Sequence, residues 1–361
     1  MFIGRLGERS SFFCFLVLIS VASSFSFSQQ FSPTLYEGMR WRMIGPFRGG
    51  RTVAISGVPG APNVFYIGVN NGGVWKSTDY GQTWQPIFDD QPTGSIGALA
   101  IASSQPETIY VGSGEGLRRP DLSTGDGIYK STDAGHTWQH LSLRDAQQIS
   151  AIIVDPSDPR RLFVAALGHP YGPNEERGVF RSTDGGLNWQ RVLYKNADTG
   201  AIDLAFDPSN AQTIYAVMWA SRRPPWTTGG AYSAAGGGLY KSTDGGATWN
   251  ELTKGLPSGA NLGRIGLAIA PSDPSRLYAI VDSKTAGGVY RSDDAGTTWQ
   301  QVNSESRIWG RADDFAGIRV HPKDRDTIFV ANTSTYRSTD AGKTFAAIKA
   351  PRAATTITPF G

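Results

Sequence analysis

The chain has 361 residues, 44 of them glycine, with 39% hydrophobic and 18% charged side chains. That balance suits many short strands joined by tight turns and argues against a helical bundle, which would be richer in Leu, Ala, Glu and Lys. A formal charge of +3 without a Lys/Arg run leaves no electrostatic footprint for nucleic acid, and a single cysteine rules out a disulfide framework.

In chain order the first feature is a processing segment. Arg5 and Arg9 precede the apolar run of residues 12–22, and Ser26-Phe27-Ser28 offers a small-x-small cleavage site before Gln29. Residues 1–28 read as a signal peptide. The mature chain is then secreted or periplasmic, with no membrane insertion after signal removal. Cys14 leaves with that segment, so no thiolate metal site is expected, nor any cofactor.

Between residues 29 and 350 one pattern recurs. Ser-x-Asp-x-Gly-x-Thr-Trp begins at Ser77, Ser131, Ser182, Ser242, Ser292 and Ser338, with Asn188 in place of Thr in the third copy and Phe345 in place of Trp in the sixth. A spacing of roughly 50 residues means a propeller or a solenoid. In the second unit, residues 95–103, 108–114, 127–132 and 137–143 alternate apolar and polar side chains between Gly, Pro and Asp punctuation, which predicts four strands. Four strands are the content of one propeller blade. The repeated box falls between the third and fourth strands. Its Gly supplies a left-handed turn, its Ser, Asp and Thr tie that turn together, and its Trp plugs the space between blades. Six aspartates at equivalent turns lie too far apart around a disc to form one metal or catalytic ring.

Residues 39–45 resemble an additional fourth strand ahead of the first blade. Blade six already has its own at 343–350, and residues 351–361 read as an irregular tail. The expected fold is all-β: a β-propeller of six complete four-stranded blades, cut from a seven-bladed ancestor and left with exposed edges.

The box resembles the Asp-box, or bacterial neuraminidase repeat, and the resemblance spans residues 40–349. The phrases at 41–51, 155–167 and 172–186 are similar to exported bacterial proteins of the sortilin-like and xyloglucanase-like glycosyl hydrolase type. The resemblance implies a propeller of Asp-box blades. An activity has to be argued from the site, because one fold hosts many functions.

Loops between strands two and three should open on the face opposite the box turns. Three of them are long, at 112–127, 167–178 and 218–238, and long loops in a compact repeat are functional or disordered. They bring Arg118, Arg119, Asp121 and Asp126 from blade two, His169, Tyr171, Glu175, Glu176 and Arg177 from blade three, and Trp219, Arg222, Arg223 and Trp226 from blade four. Flat aromatics stack on sugar rings, while carboxylates and guanidinium forks satisfy hydroxyls or acidic groups. The arginines, with His169, Tyr171 and the two tryptophans, are therefore candidate ligand-binding residues for a glycan or a polypeptide.

Aligned first strands place Ala54, Ala98, Ala151, Asp203, Gly266 and Gly317 at one inward position, where Asp203 is the one carboxylate. Three residues earlier the channel mouth reads Arg51, Ser95, Gln148, Gly200, Gly263 and Asp314, which adds Arg51 to the ligand-binding set. Glycoside hydrolysis usually needs two carboxylates about 5–10 Å apart. Asp203 with Glu175 or Glu176 is the candidate catalytic pair. The resemblance to xyloglucanases implies a cleft between two tandem propellers, of which this chain has one. Of the sialidase pattern only Arg48 and Arg51 are suggested. Three readings follow: recognition of a glycan or polypeptide on the loop-rich face, glycoside hydrolysis of a polysaccharide, and an interaction scaffold without a small ligand.

Overall fold

The computed structural model describes residues 51–117, 122–221, 237–259, 262–311 and 316–348, with Ser32, Thr34 and Gly38 as isolated positions. The segments read as signal peptide (1–28), as an additional strand (39–45) and as a tail (351–361) lie outside the described residues. The chain divides into two units, Met1–Arg48 and Gly49–Gly361.

The second unit is built from six four-stranded sheets, each an antiparallel meander in sequence order. Their first strands are Thr52–Val58, Ile96–Ile101, Ile149–Val154, Thr199–Asp207, Leu262–Ala270 and Gly317–His321. These pack against one another in succession from blade one to blade six, which is the arrangement of a β-propeller. Blade two shows how closely the strands follow the alternation: Ile96–Ile101, Ile109–Ser113, Ile128–Ser131 and Gln139–His140. The fourth strand, at the outer edge, is only two residues long here and four in blades three and five.

Each box closes its turn in the same way. In blade one the Ser77 hydroxyl donates to Asp79 Oδ1 over 2.8 Å and accepts from the Gly81 N–H over 2.9 Å. Asp79 in turn accepts from the Thr83 N–H (2.9 Å) and the Thr83 hydroxyl (2.6 Å). Gly81 sits at φ 83°, a left-handed conformation that a side chain would strain. The Thr83 bonds, then Ser77, hold the Asp79 carboxyl down at about 2, and Asp133, Asp184 and Asp340 are likewise lowered to about 2. The Asn188 substitution preserves the chemistry: its Nδ2 donates to Asp184 Oδ2 over 2.7 Å, as the threonine hydroxyls do elsewhere. Among the described residues the boxes are turn-forming scaffold.

Adjacent blades are joined by five hydrophobic clusters, one at each junction from blades one and two to blades five and six. A box aromatic from the later blade enters every cluster: Trp138, Trp189, Trp249, Trp299 and Phe345 in turn. The expectation that the box aromatics plug the space between blades holds at these five junctions, though not all are equally covered. Trp299 and Phe345 are buried, whereas Trp138, Trp189 and Trp249 keep part of the indole in water. Trp84, the box aromatic of blade one, enters none of these clusters and is half-buried. Polar latches reinforce the junctions. Lys76, Lys130, Arg181 and Lys241 on the third strands donate to the box-turn carbonyls of Ala134, Gly185, Gly245 and Ala295 in the following blade, over 2.9–3.2 Å.

Candidate functional site at the channel mouth

The first strands converge so tightly that side chains are excluded at several positions. A Cβ on Gly97 would lie 2.2 Å from the Ile149 carbonyl of blade three, and one on Gly266 would lie 1.8 Å from the carbonyl of Ala316. The close approach explains the run of Ala and Gly at the inward position. Where the strands begin, on the loop-bearing face, they splay into a cavity of about 510 Å³. It is lined by Arg51, Thr52 and Val53 of blade one, Gly97, Gly116 and Leu117 of blade two, Ser150 of blade three, Arg264 of blade five, and Ala316, Gly317 and Ala331 of blade six. Residues from five blades thus meet at one mouth.

Two charged constellations organise this region. Glu115, fully buried, accepts from Asn70 Nδ2 at 2.7 Å and pairs with Arg51 Nη2 at 3.1 Å. Its backbone carbonyl also receives the amide of Gln148. A buried carboxylate held this way fixes the Arg51 guanidinium at the edge of the cavity. The second constellation centres on Asp203, whose Oδ1 accepts from the Leu204 N–H at 2.9 Å and whose Oδ2 faces the Leu267 N–H of blade five at 3.5 Å. Loss of water raises the Asp203 carboxyl above its ordinary range, against the opposing pull of Arg319 and then Arg264.

The loop residues take different places. Arg177 is fully buried and donates to the carbonyls of Leu167, His169 (2.6 Å) and Gly172 (2.9 Å), so it staples the blade-three loop from within. Trp219 is also fully buried, in the cluster between blades four and five. Neither offers a surface to a ligand, which corrects their assignment to the ligand-binding set. The second strand of blade four runs over Asn210–Ala220, so Trp219 belongs to a strand covered on both faces rather than to a loop. His169 Nε2 lies 2.8 Å from Asp145 Oδ1, and Tyr171 is exposed with its hydroxyl 3.4 Å from the Leu122 carbonyl. Arg118, Arg119, Asp121, Arg222, Arg223 and Trp226 lie outside the described residues. Asp126 is taken up by Tyr129, Ser113 and Arg144.

The two glutamates have partners of their own. Glu175 accepts from the Tyr194 hydroxyl at 3.1 Å and lies 3.6 Å from Arg191, both at the outer strand of blade three. Glu176 is raised by burial and then by the nearby Asp145 carboxylate, and it accepts from the backbone at Ala146 and Asp145. The groups acting on Asp203 are Arg319, Arg264 and the backbone N–H groups of Leu267 and Leu204, and neither glutamate is among them. Sequence reasoning missed Glu115, Asn70 and Arg264. The glycine-flanked Glu115 and the arginine beside Gly263 were the available signals. Among the described residues no three His, Cys, Asp or Glu side chains come together as metal ligands would. Among the same described residues no helix is long and apolar enough to cross a membrane.

Residues 126–259 match the family described as "Sortilin, neurotensin receptor 3". A xyloglucanase from a Paenibacillus species is 24% identical over 283 residues, covering 70% of this chain and 26% of that protein. Among solved structures, an ancestral GH74 enzyme aligns with a TM-score of 0.61 at 23% identity, covering 82% of this chain and 37% of its own. The Niastella koreensis GH74 enzyme aligns with a TM-score of 0.57 at 22% identity, covering 83% and 45%. The chain spans about a quarter of the length of the xyloglucanase it matches. Repeat, blade architecture and these likenesses agree: the chain is a β-propeller with an Asp-box-like turn in each blade, similar to sortilin-like and xyloglucanase-like proteins.

Proposed function

We propose that this propeller recognises a glycan or an extended polypeptide at the mouth of its central channel. The observation that carries the reading is the cavity itself: two guanidinium groups, Arg51 and Arg264, stand over a floor of glycine and alanine on the loop-bearing face. A guanidinium presents five N–H donors in a fixed fork, so Arg51 can hold Glu115 and meet an oxygen-rich ligand together. Small floor residues admit a flat ring or an extended chain close to the backbone. The likeness to xyloglucanases favours a polysaccharide as the ligand class. The protein would act where such a ligand is met, outside the cytoplasm, in keeping with the signal-peptide reading of residues 1–28.

Glycoside hydrolysis is the second reading, favoured by the raised Asp203 carboxyl, which suits a general acid. It requires a second carboxylate nearby, and the described partners of Asp203 are two arginines and two backbone amides. Calorimetric titration with xyloglucan oligosaccharides, a panel of other glycans and unstructured peptides tests both readings. Recognition predicts saturable binding that Arg264→Ala weakens at least about tenfold, without release of reducing ends. Binding that is absent throughout, or indifferent to Arg264→Ala, rejects the site. Turnover abolished by Asp203→Asn would put hydrolysis in its place.

A further inference from the structure

One tryptophan on the loop-bearing face is mounted as a platform rather than packed as a plug. Trp309 ends the short helix Ser306–Trp309, in the connection that leads from blade five to blade six. A Cβ on Gly287 would stand 2.4–2.5 Å from three successive atoms of its six-membered ring. Near-equal distances to three ring atoms put that point over the ring centre, so one face of the indole lies flat on the Gly287 backbone. Any side chain at position 287 would push the ring away. Trp219 is fully buried, but Trp309 is half-buried. With one face sealed on Gly287, the surface it leaves in water belongs to the opposite face and the ring edge.

Both halves of the mount are fixed. The indole Nε1 donates to the Ser304 carbonyl over 3.1 Å. The Gly287 carbonyl accepts from Gln301 Nε2 over 3.0 Å, and the Ala286 carbonyl accepts from the Tyr290 hydroxyl over 2.7 Å. A ring held this way loses little conformational freedom when a ligand covers it. Between the platform and the axis stands a carboxylate. Asp282 ends the second strand of blade five, and its Oδ2 would lie 2.2 Å from a Cβ on Gly263, so it sits over the first strand beside Arg264. Arg264 in turn lines the channel-mouth cavity. A guanidinium, a carboxylate and an indole are thus carried outward across one blade. At a strand spacing of about 4.7–4.9 Å, the first and third strands are about 9–10 Å apart, the reach of a disaccharide.

We infer that blade five carries a sugar-binding strip running outward from the channel mouth, in which Trp309 stacks on one ring of a linear glycan while Asp282 and Arg264 meet hydroxyls of the units nearer the axis. The inference rests on recognition at the mouth and narrows its ligand to a polysaccharide chain that enters over blade five. A polypeptide fits this strip poorly. The second strand of blade five is paired along both edges, by Leu262–Ala270 and Gly288–Ser292, so an extended peptide finds no strand edge to join. A sugar ring needs none. Its C–H face seeks an aromatic plane, and its hydroxyls donate to a carboxylate and accept from a guanidinium.

The test is a length series. Calorimetric affinities for cellobiose through cellohexaose and for xyloglucan oligosaccharides are compared between the unsubstituted chain and Arg264→Ala, Trp309→Ala and Gly287→Ala. Trp309 also adjoins the cluster between blades five and six, so Trp309→Ala alone could act through packing. Gly287→Ala keeps the indole and displaces it, which separates the platform from the packing. The expected result is an affinity that climbs with oligosaccharide length in the unsubstituted chain. Trp309→Ala and Gly287→Ala should each remove that gain, weakening the longest oligosaccharides at least about tenfold and leaving the shortest that bind unchanged. Arg264→Ala should weaken short and long alike. Long oligosaccharides that bind both platform variants as they bind the unsubstituted chain, with Arg264→Ala impaired, overturn the strip and leave the mouth in place. Equal weakening at every length, or saturable binding of unstructured peptides with no glycan bound, likewise overturns the strip alone. Binding absent throughout removes both.

Discussion

Replacing Trp299 with Ala and, separately, Trp84 with Ala isolates the energy of a filled blade junction. Both indoles donate from Nε1 to the carbonyl of their own box glycine over 3.0 Å, Trp299 to Gly296 and Trp84 to Gly81, so the loss of that bond cancels in the comparison. What differs is the surroundings. Trp299 is 6% exposed and enters the cluster between blades four and five, whereas Trp84 enters none of the five clusters and is only half-buried. A buried tryptophan removes about 150–250 Å² from water, or about 4–6 kcal/mol at 25 cal/mol/Å². Compactness of the unfolded chain trims this by roughly 10–40%, giving about 3–5 kcal/mol for Trp299→Ala. Trp84 keeps more of its surface in water, so Trp84→Ala should cost less, about 2–3 kcal/mol. Urea unfolding followed by far-UV circular dichroism reads the difference as a midpoint shift at unchanged slope. Equal losses would refute the reasoning, because they would mean that Trp84 is seated against a blade as Trp299 is.

The box aspartates predict the acid response. Their folded pKa of about 2 lies below the ordinary 3.8, so they contribute stability that is fully present above about pH 4 and is lost as the pH falls through 2. The urea midpoint should therefore decline over that window, and a midpoint flat between pH 4 and 2 would contradict the assignment. Arg51→Ala strands the buried Glu115 carboxylate and should cost about 2–4 kcal/mol, somewhat below the usual penalty because Asn70 still donates. Adding Glu115→Gln to Arg51→Ala should restore part of the loss, and a double variant less stable than the single one would count against the pair. Asn188→Thr should leave the urea midpoint unchanged, since either side chain donates to Asp184, while Asn188→Ala should lower it.

The sequence made the blades legible because their determinants are local. Period-two alternation marks the strands, and Ser, Asp, Gly and Thr at fixed offsets encode a turn that needs no distant partner, as the Ser77–Asp79–Thr83 bonds illustrate. Residues whose places depend on how blades meet were harder to read. Trp219 and Arg177 looked like loop residues from composition, but one ends a strand buried on both faces and the other turns inward to satisfy loop carbonyls. Bulges near the start of the first strands, such as that between Leu262 and Ile265, shift the register by about one residue. That shift brings Arg264 rather than Gly263 to the cavity. Glu115 escaped notice because nothing in its glycine-rich neighbourhood announces Asn70 and Arg51, which arrive from another blade.

The central claim, that ligands are recognised at the channel mouth, is tested most directly by mapping where one binds. Methyl-labelled protein titrated with a bound oligosaccharide or peptide should show chemical-shift changes at Val53, Leu117, Ala316 and Ala331, which surround the cavity, and none at Ile87 or Leu141 beneath the box turns on the opposite face. Shifts centred on the box-turn side, or spread evenly over the surface, would contradict it.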